Sequence, residues 1–549
     1  MATTQKHPLL ETQTEWKQLF ADHQFVSDFK QDIVENFISN QRWYGGKSSK
    51  LKYVDINENF NLSNSEHHFF GLILEVNFHE AFYQHYYLPI GFVEIYDDDE
   101  HQILCSIRLK INGKAKKGFL VDATYLESYR ELVFNLLKDN KTQYFNGGSI
   151  HFHSNRLLAK AEYQTSRFLG LEQSNTSIIY NDAFILKFFR RIYSSTNPDY
   201  QINRYITENT DFKNIPTYVG SINLNIVKED DVTLALLQQL VPNQGDAWNW
   251  FLEELHHIFS KTTSNLAQAS NIPGIALYSR IATESLPAEL THFIGKKLLL
   301  KVEKLALRTA EMHIALGKET SDLAFTPDRY NSDYNVWLKN RLLYQFQHRL
   351  NLTENNLHKL TGLSLELAHK FLEQKNLIRK RLIALDWHKL KGERIRIHGD
   401  YHLGQVLVND EDFFILDFEG EPESTIRDRK VKQPPLKDVA GMFRSFHYAV
   451  YATIFTHHKT YGHQPAELFE LGEKLYATFI SVFLDAYLKK VQDENLNVGY
   501  AKEVEFLLQY CLLEKAIYEL GYEMNSRPRW AIIPLQGIHN ILQNNMQQL

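Results

Sequence analysis

Two short segments in the C-terminal half of the chain contain acids and an amide at a spacing suited to phosphoryl transfer. The first, residues 397–405, places Asp400 five residues before Gln405. The second, residues 416–422, contains Asp417 near its start. An acid can orient and deprotonate an acceptor hydroxyl, while an amide and a second acid can bind the Mg²⁺ that neutralises phosphates. The spacing therefore predicts a base and a metal site on two adjacent loops.

The same three residues match the order of functional residues in kinases. In the pattern H-R-D-x-x-x-x-N followed by D-F-G, the first Asp orients the hydroxyl, the amide holds Mg²⁺ and the last Asp chelates the metal. Asp400, Gln405 and Asp417 occupy these positions. Residues 413–416 form an apolar run typical of a buried strand, which would deliver Asp417 to the loop of Asp400. The combination favours a catalytic site over an ordinary turn.

A lysine in a predicted β-hairpin is a second chemical feature. Two β-favouring runs, residues 177–180 and 184–189, are joined by an Asn-Asp pair, which is a hairpin signal. Lys187 lies in the second run between apolar residues of the same face, where a buried ammonium requires an anion. ATP phosphate is one such anion. An edge-strand lysine that reaches into solvent is the alternative.

The polar segment before this hairpin, residues 172–177, lies where a loop covering nucleotide phosphates would be expected. It lacks the glycines of G-x-G-x-x-G, so the side chains of Asn175, Thr176 and Ser177 would have to assist the backbone. Taken alone, the segment is more typical of an ordinary polar turn, and Lys187 is what favours the phosphate-covering loop.

Length, charge and cysteine content limit the classes of protein to which this chain can belong. A chain of 549 residues is too long to fold around one hydrophobic core. A typical length of about 150 residues per domain suggests roughly three or four units. A net charge of −6 with dispersed basic residues argues against nucleic acid or an anionic membrane as partner. Cys105 and Cys511 are too far apart for a zinc motif. No apolar run reaches a membrane span, so we expect a cytoplasmic protein.

Periodicity predicts an α+β chain in three parts. A helix over residues 16–38, strands between residues 51 and 120 and a helix over residues 127–139 indicate an N-terminal subdomain. The predicted divisions are an N-terminal cap (residues 1–140), a β-rich small lobe with the ATP-binding loop (residues 141–245), and a mainly helical lobe with the catalytic loop (residues 246–549).

Segments spread along nearly the whole chain resemble the bacterial maltokinase family: residues 41–47, 172–177, 186–191, 197–199, 241–246, 398–407, 417–422, 438–446 and 525–530. The resemblance implies a two-lobed protein-kinase-like fold of the aminoglycoside phosphotransferase type, with an N-terminal α+β cap subdomain. It also implies Mg²⁺-dependent transfer of phosphate from ATP to maltose, giving maltose 1-phosphate for α-glucan and glycogen synthesis. Some members are fused to trehalose synthase, which is therefore the implied protein partner.

By this resemblance, Asp400 orients the sugar hydroxyl, Lys187 and residues 175–177 contact ATP, and Gln405 and Asp417 bind Mg²⁺. Glu419 lies two residues beyond Asp417 on the same side of an extended chain and would add to the metal shell.

The sequence departs from the family at Gln201. Family members tend to carry Glu at this position, and that acid is a candidate partner for the nucleotide-binding Lys187. A neutral amide cannot neutralise an ammonium, and Glu208 is an alternative partner two helical turns further on. The sequence leaves this pairing open.

Residues 512–524 are predicted to form a helix with a sugar-binding stripe. Lys515, Tyr518 and Tyr522 fall at i, i+3 and i+7, with Glu519 beside them. The alternative is a half-buried structural stripe, but resemblance to the maltose-contacting helix of the family favours the sugar. His402 and Arg444 complete the predicted substrate-binding residues, although Arg444 is equally typical of a buried arginine paired with Asp438.

Three other functions remain open from sequence. The chain could phosphorylate another sugar or an aminoglycoside, or it could be a catalytically silent binding module with a kinase fold. A metal-assisted hydrolase or glycosidase could use four acids on and after the predicted strand: Asp417, Glu419, Glu421 and Glu423. Acceptor preference and the choice between monomer and homodimer are also open.

Overall fold

The computed structural model describes residues 8–95, 102–170, 174–226, 230–263, 271–384, 386–410 and 412–543. Among these residues the chain forms two compact units, one from Met1–Arg204 with Pro216–Val241 and one from Tyr205–Ile215 with Pro242–Leu549. Sheets dominate the first unit and helices the second. None of the described helices is long and apolar enough to cross a lipid bilayer.

The N-terminal sheet of the first unit is an antiparallel meander with one parallel edge. Its strands are β1 (Leu9–Glu15), β2 (Leu51–Ser63), β3 (His68–Phe78), β4 (Tyr83–Val93), β5 (Ile103–Ile111) and β6 (Lys114–Asp122). They lie in the order β1-β5-β6-β4-β3-β2, and β1 pairs with β5 in parallel. One face packs against the helices between β1 and β2, and residues of the other face, including Phe69, Ile73 and Tyr87, belong to a second buried cluster, so the central strands are buried on both sides. The strands predicted between residues 51 and 120 are therefore confirmed.

The predicted helix over residues 16–38 is wrong as a single element. It is divided into a 3-10 helix (Trp16–Ala21), α1 (His23–Asp28), a π-helical turn (Phe29–Val34) and α2 (Glu35–Ser39). The interruption has a local cause, because the carboxylate of Asp22 accepts hydrogen bonds from the backbone N–H groups of Gln24 and Phe25 and so starts a new helix.

A helix and a second sheet complete the first unit. The elements are α3 (Glu127–Lys138), β7 (Thr142–Phe145), β8 (Gly148–Ser154), α4 (Arg156–Ala159), β9 (Ser166–Phe168), β10 (Asn175–Tyr180), β11 (Phe184–Phe189), β12 (Arg191–Ile192), α5 (Pro198–Asn209), β13 (Tyr218–Ile226) and β14 (Val232–Gln239). The order is β7-β8-β13-β14-β11-β10-β9, and β12 pairs with β4 of the first sheet. The predicted hairpin is confirmed: β10 and β11 are antiparallel, and Asn181 and Asp182 between them have φ values of 54° and 49°.

Helices of the second unit surround two short hairpins. They are α6 (Ala247–Ser260), α7 (Ala288–Ile294), α8 (Lys296–Leu316), α9 (Ser332–Asn355), α10 (Gly362–Glu373), α11 (Lys375–Leu382), α12 (Ile426–Arg429), α13 (Leu436–Tyr461), α14 (Pro465–Asp493), α15 (Ala501–Ser526) and α16 (Ile532–Gln543). One hairpin pairs β15 (Asp328–Arg329) with β16 (Glu393–Arg394), and the other pairs β17 (Val406–Asn409) with β18 (Asp412–Ile415).

The β17–β18 hairpin positions the predicted chemical residues. Gln405 immediately precedes β17, and Asp417 follows β18 by two residues. Because Val406 pairs with Ile415, the two ends of the hairpin lie side by side. The antiparallel strands β17 and β18 therefore bring both predicted loops together.

Candidate active site

The loop that contains Asp400 is held by a buried acid on α13. Asp438, 1% exposed, accepts hydrogen bonds from the backbone N–H groups of His398 (2.8 Å) and Gly399 (2.9 Å) and contacts His313 Nε2 at 3.0 Å. Burial alone would raise the pKa of Asp438, but the hydrogen bond from His313 and the neighbouring donors lower it below its ordinary value. Asp438 therefore remains an acceptor that fixes the start of the loop.

Two further residues of α13 fasten the same loop. A Cβ on Gly441 would lie 2.6 Å from the carbonyl oxygen of Tyr401, so only glycine allows this approach. The hydroxyl of Ser445 accepts a hydrogen bond from Leu403 N–H at 3.0 Å. Since Asp438, Gly441 and Ser445 follow each other at i, i+3 and i+7, one face of α13 holds the loop over consecutive turns.

Gln405 and Asp417 are in direct contact. Gln405 Nε2 donates to Asp417 Oδ2 at 3.0 Å, and Leu416 N–H donates to the Gln405 carbonyl at 2.9 Å. Asp417 has a φ of +64°, a left-handed conformation that a non-glycine residue adopts at a cost of about 1–3 kcal/mol. Such strain persists when the surrounding structure imposes it, and it is concentrated at functional sites. The conformation of Asp417 therefore supports a functional role.

Three side chains offer oxygen atoms suited to Mg²⁺. Asp417 and Glu419 each present a carboxylate oxygen, and these two atoms lie within 4.8 Å of each other. The hydrogen bond from Gln405 to Asp417 uses the side-chain amide nitrogen of Gln405. The oxygen of the same amide therefore remains available as a metal ligand. Hard oxygen donors in this number, completed by water and phosphate, are what Mg²⁺ prefers. The donor set therefore fits the metal that the sequence predicts.

Asp400 forms an ion pair with Lys515 of α15. Lys515 Nζ lies 3.1 Å from Asp400 Oδ1 and 3.1 Å from Glu421 Oε1. Burial alone would lower the pKa of Lys515, but the carboxylates of Glu421 and Asp400 outweigh it and raise this pKa well above its ordinary value. Lys515 is therefore a permanent cation held between the predicted base and a second acid.

Glu421 extends this contact into a network between helices. Its other oxygen, Oε2, contacts Arg341 of α9 at 3.0 Å, and Arg341 also lies 3.5 Å from Glu514. Burial opposes ionisation of Glu421, but Lys515, Lys437 and Arg341 lower its pKa to about 2. Arg341 and Glu514 could not be identified from the sequence, because their partners are far away along the chain.

The predicted sugar-binding stripe is only partly continuous. The Lys515 ammonium lies 5.1 Å from the ring centroid of Tyr518, so these two residues are neighbours beside Asp400. Tyr522 is 51% exposed, and its ring is covered on one side by the guanidinium of Arg527 at 5.5 Å. Tyr518 and Lys515 therefore lie together beside Asp400, and Tyr522 lies further along the same helix.

Arg444 and Glu519, both predicted to bind substrate, form a buried ion pair. Arg444 Nε donates to Glu519 Oε2 at 2.8 Å, and Arg444 Nη1 lies 2.8 Å from His447 Nδ1. Arg444 is 2% exposed, and burial raises the pKa of Glu519. The alternative partner considered for Arg444, Asp438, instead binds the catalytic loop. This geometry favours a structural role for the Arg444–Glu519 pair.

His402 lies at the edge of the site. Its Nδ1 accepts a hydrogen bond from Gly404 N–H at 3.1 Å, and its Nε2 lies 4.0 Å from Asp400 Oδ2. Burial lowers the pKa of His402, which keeps the ring neutral near pH 7. The ring is therefore oriented by the loop, with one nitrogen directed toward Asp400.

In the first unit, Lys187 is paired with Asp199. Lys187 Nζ lies 3.2 Å from Asp199 Oδ2, and the Asp199 side chain is only 2% exposed. Asp199 is the second residue of α5, immediately after Pro198. Lys187 therefore has an acidic partner that sequence analysis did not identify.

The predicted phosphate-covering residues divide between two faces of the hairpin. Ser177 pairs with Lys187 across β10 and β11, and Asn175 lies on the same face. Thr176 points to the opposite face, where its hydroxyl accepts a hydrogen bond from Arg190 Nε at 2.8 Å. Thr176 therefore has a structural partner, while Asn175 and Ser177 share a face with Lys187. Residues 172 and 173 lie outside the described residues.

Comparison with known proteins identifies sugar kinases among the relatives. No family model matches the chain. The chain is 21% identical over 383 residues to a glucosamine kinase from Streptacidiphilus jiangxiensis, covering 69% of this chain and 74% of that protein. It is also 21% identical over 391 residues to a glucosamine kinase from Mycolicibacterium smegmatis, covering 70% and 82%.

Solved structures of glucosamine kinase have a similar fold. One, in complex with glucosamine, ADP and inorganic phosphate, aligns with a TM-score of 0.58 at 16% identity over 93% of this chain and 99% of that chain. A second crystal form aligns with a TM-score of 0.59 over 92% and 97%. The predicted α+β kinase-like fold is therefore confirmed, because the chain shares the fold of these glucosamine kinase structures.

Proposed function

We propose that this chain transfers the terminal phosphoryl group of ATP to a hydroxyl of a sugar. The observation that carries the proposal is the arrangement on the two loops of the second unit. Asp400 is held by α13, and the neighbouring Gln405 and Asp417 are in contact at 3.0 Å. A base beside hard oxygen ligands is what phosphoryl transfer requires.

Each group has a role in this proposal. Asp400 accepts the proton of the attacking hydroxyl, and Lys515 keeps the Asp400 carboxylate in place. Gln405, Asp417 and Glu419 would hold Mg²⁺, which neutralises charge on the phosphates when bound. In the first unit, Lys187 with its counter-ion Asp199 provides a cation for ATP phosphate, and Asn175 and Ser177 share its face.

Two acceptors have support of different kinds. Maltose is favoured by the resemblance of segments along the chain to bacterial maltokinase. Glucosamine is favoured by the sequence relatives, which are glucosamine kinases aligned over most of their length. Either sugar presents hydroxyls to Asp400, so the geometry of the base alone does not separate them.

The hydrolase alternative is disfavoured by the state of Glu421. A glycosidase needs a carboxylic acid with a raised pKa to protonate the leaving group. Glu421 has a pKa lowered to about 2 by cations that include Lys515 and Arg341, so it is ionised and already bound at neutral pH. It cannot serve as that acid.

The experiment is an ADP-release assay on the full chain with ATP and Mg²⁺. Maltose, glucosamine, glucose, trehalose and an aminoglycoside are compared as acceptors, and phosphorus NMR locates the phosphate on the product. We expect ADP release that depends on a sugar and is lost in Asp400→Asn. ADP release with the aminoglycoside alone would identify an aminoglycoside as the acceptor. ADP release that does not depend on any acceptor would indicate ATP hydrolysis, and no ADP release with any acceptor would favour the silent binding module.

A further inference from the structure

A cavity between the end of α14 and the start of α15, here called the α14–α15 cavity, lies apart from the residues proposed for phosphoryl transfer. Its volume is about 510 Å³, within the range of roughly 300–1,000 Å³ typical of small-molecule sites. Among the described residues that line it, none belongs to the loop of Asp400. Its lining residue nearest in sequence to Lys515 is Gln509, about 9 Å before Lys515 along the axis of α15. The cavity is therefore separate from the candidate active site.

The walls of the α14–α15 cavity are mostly apolar. Aliphatic residues from both helices and from the connection between them line it: Leu484, Leu488, Val491, Leu496, Val498, Val504 and Leu508. Tyr278, from the segment before α7, adds an aromatic side chain. Arg280 and Glu505 are exposed lining residues of opposite charge, and Arg280 also lies 3.5 Å from Asp485. The lining therefore suits an uncharged molecule with a mostly apolar surface.

One buried polar side chain in this wall, Gln509, has an unused hydrogen-bonding atom. Gln509 is 3% exposed, and its Oε1 is buried with no hydrogen-bond partner among the described residues. A buried acceptor without a partner costs free energy, so such atoms are usually paired in folded proteins. A bound molecule with an N–H or O–H group would supply the missing donor.

The connection between α14 and α15 is held in place by the protein itself. The side chain of Asn497 donates to the carbonyl oxygen of Lys391 at 3.0 Å, and the Asn497 carbonyl accepts from Glu393 N–H at 2.9 Å. Gly499 has a φ of +92°, and a Cβ there would lie 2.3 Å from Glu503 Cδ, so glycine alone fits. The carboxylate of Glu503 accepts a hydrogen bond from Lys391 N–H at 3.1 Å. This wall of the cavity is therefore preformed, as in most small-molecule sites.

We propose that the α14–α15 cavity binds a small, uncharged, mostly apolar molecule that carries an N–H or O–H donor, and that Gln509 Oε1 accepts the hydrogen bond from this donor. A sugar does not fit this description, because its hydroxyl groups would be buried against aliphatic side chains. The site is distinct from those proposed for ATP and the sugar, and the inference does not depend on the proposed kinase activity.

The test uses two probes of nearly the same shape: indole, which has an N–H donor, and benzofuran, which has an oxygen in its place. Calorimetric titration of the full chain compares the wild type with Gln509→Leu, which removes the acceptor and keeps a side chain of similar size. Gln347→Leu is the control, since Gln347 is an exposed residue of α9 that does not line the cavity. We expect the wild type and the control to bind indole about 2- to 10-fold more tightly than benzofuran, the range for one hydrogen bond. Gln509→Leu should bind the two probes equally.

A second variant, Val498→Trp, tests the location of the site without changing Gln509. The larger side chain should fill part of the cavity and weaken the binding of both probes, and urea unfolding checks that each variant is folded. Saturating ATP together with glucosamine or maltose should leave indole binding unchanged.

Three results would overturn the proposal. The first is no binding of indole to the wild type, and the second is equal affinity of the wild type for indole and benzofuran. The third is indole binding that is unchanged in folded Val498→Trp or that is displaced by ATP or sugar, since either result would place the probe elsewhere.

Discussion

The ammonium of Lys515 lies midway between two acids, 3.1 Å from Asp400 Oδ1 and 3.1 Å from Glu421 Oε1. Glu421 is in turn bound by Arg341, so the position of Lys515 is also fixed from α9. A hydroxyl that approaches Asp400 therefore meets a fixed cation as well as a carboxylate. We therefore expect Lys515 to orient the Asp400 carboxylate, in addition to the contact with the sugar that the sequence predicts.

Replacing Lys515 should therefore affect turnover as well as acceptor binding. We expect Lys515→Ala to raise the acceptor KM by about 5- to 100-fold, for a loss of ~1–3 kcal/mol, and also to lower kcat because Asp400 and Glu421 lose their shared partner. Steady-state kinetics with saturating ATP separates the two effects. A change in KM alone would show that Lys515 only contacts the sugar. Unchanged kinetics would show that Lys515 does not belong to the site.

Asp400→Asn should lower kcat by roughly 10²- to 10⁴-fold, the usual contribution of a general base. Binding of ATP and sugar should remain within a few-fold of wild type, because the base is needed when the hydroxyl proton leaves and not when the ligands dock. Calorimetry on the variant checks the binding. A variant that keeps half of its activity would exclude Asp400 from the mechanism.

Asp417→Asn should weaken Mg²⁺-dependent use of ATP far more than it weakens sugar binding. A neutral amide is a poorer ligand than a carboxylate for a hard cation, so raising the Mg²⁺ concentration should recover part of the rate. Asp428→Asn is a suitable control, since this acid lies after β18 but is bound to Thr425 and Trp337. A rate in Asp417→Asn that does not respond to Mg²⁺ would contradict the assignment of Asp417 as a ligand.

Asp199→Asn should raise the KM for ATP and leave that for the sugar nearly unchanged. The variant removes the carboxylate that lies 3.2 Å from Lys187 Nζ, so the ammonium is held less firmly in its position. Gln201→Glu provides the reciprocal test, because it restores the acid that the family resemblance suggests. If Asp199→Asn leaves ATP kinetics unaltered, the Lys187–Asp199 pair has only a structural function.

Glu519→Gln should destabilise the protein and have little specific effect on acceptor binding. Removing one partner of a buried ion pair typically costs about 3–5 kcal/mol, since the other charge is left uncompensated. Urea unfolding should show this loss, and Arg444→Met combined with Glu519→Leu should be less destabilising than the single change. A stable Glu519→Gln protein with a raised acceptor KM would instead support the substrate-binding role predicted from sequence.

Sequence alone predicted the elements whose determinants are local. The hairpin of β10 and β11 follows from an Asn-Asp turn between alternating apolar residues, and both catalytic loops follow from short motifs beside one apolar run. The helix predicted over residues 16–38 is interrupted at Asp22, because its carboxylate caps a new helix and apolar spacing does not reveal such a cap. The helix predicted over residues 512–524 is the second half of α15, which begins at Ala501.

The contacts that sequence could not predict join residues far apart along the chain. Arg341 reaches Glu421 from 80 positions away, and Lys515 reaches it from 94 positions away. A long helix has several equivalent faces for a charged residue, so periodicity does not say which charge is buried. Arg444 shows the same limit, because its burial could be anticipated but its partner, Glu519, depended on the packing of α13 and α15.

The attachment of the Asp400 loop to α13 separates the parts of this protein that can diverge from those that cannot. Asp438, Gly441 and Ser445 fix the loop from one helix, and α9 makes none of these three contacts. Substitutions at the exposed residues Tyr344 and Gln347 of α9 therefore leave the backbone of the loop in place. After gene duplication, the exposed face of α9 could change freely, whereas the face of α13 that holds the loop would stay constant.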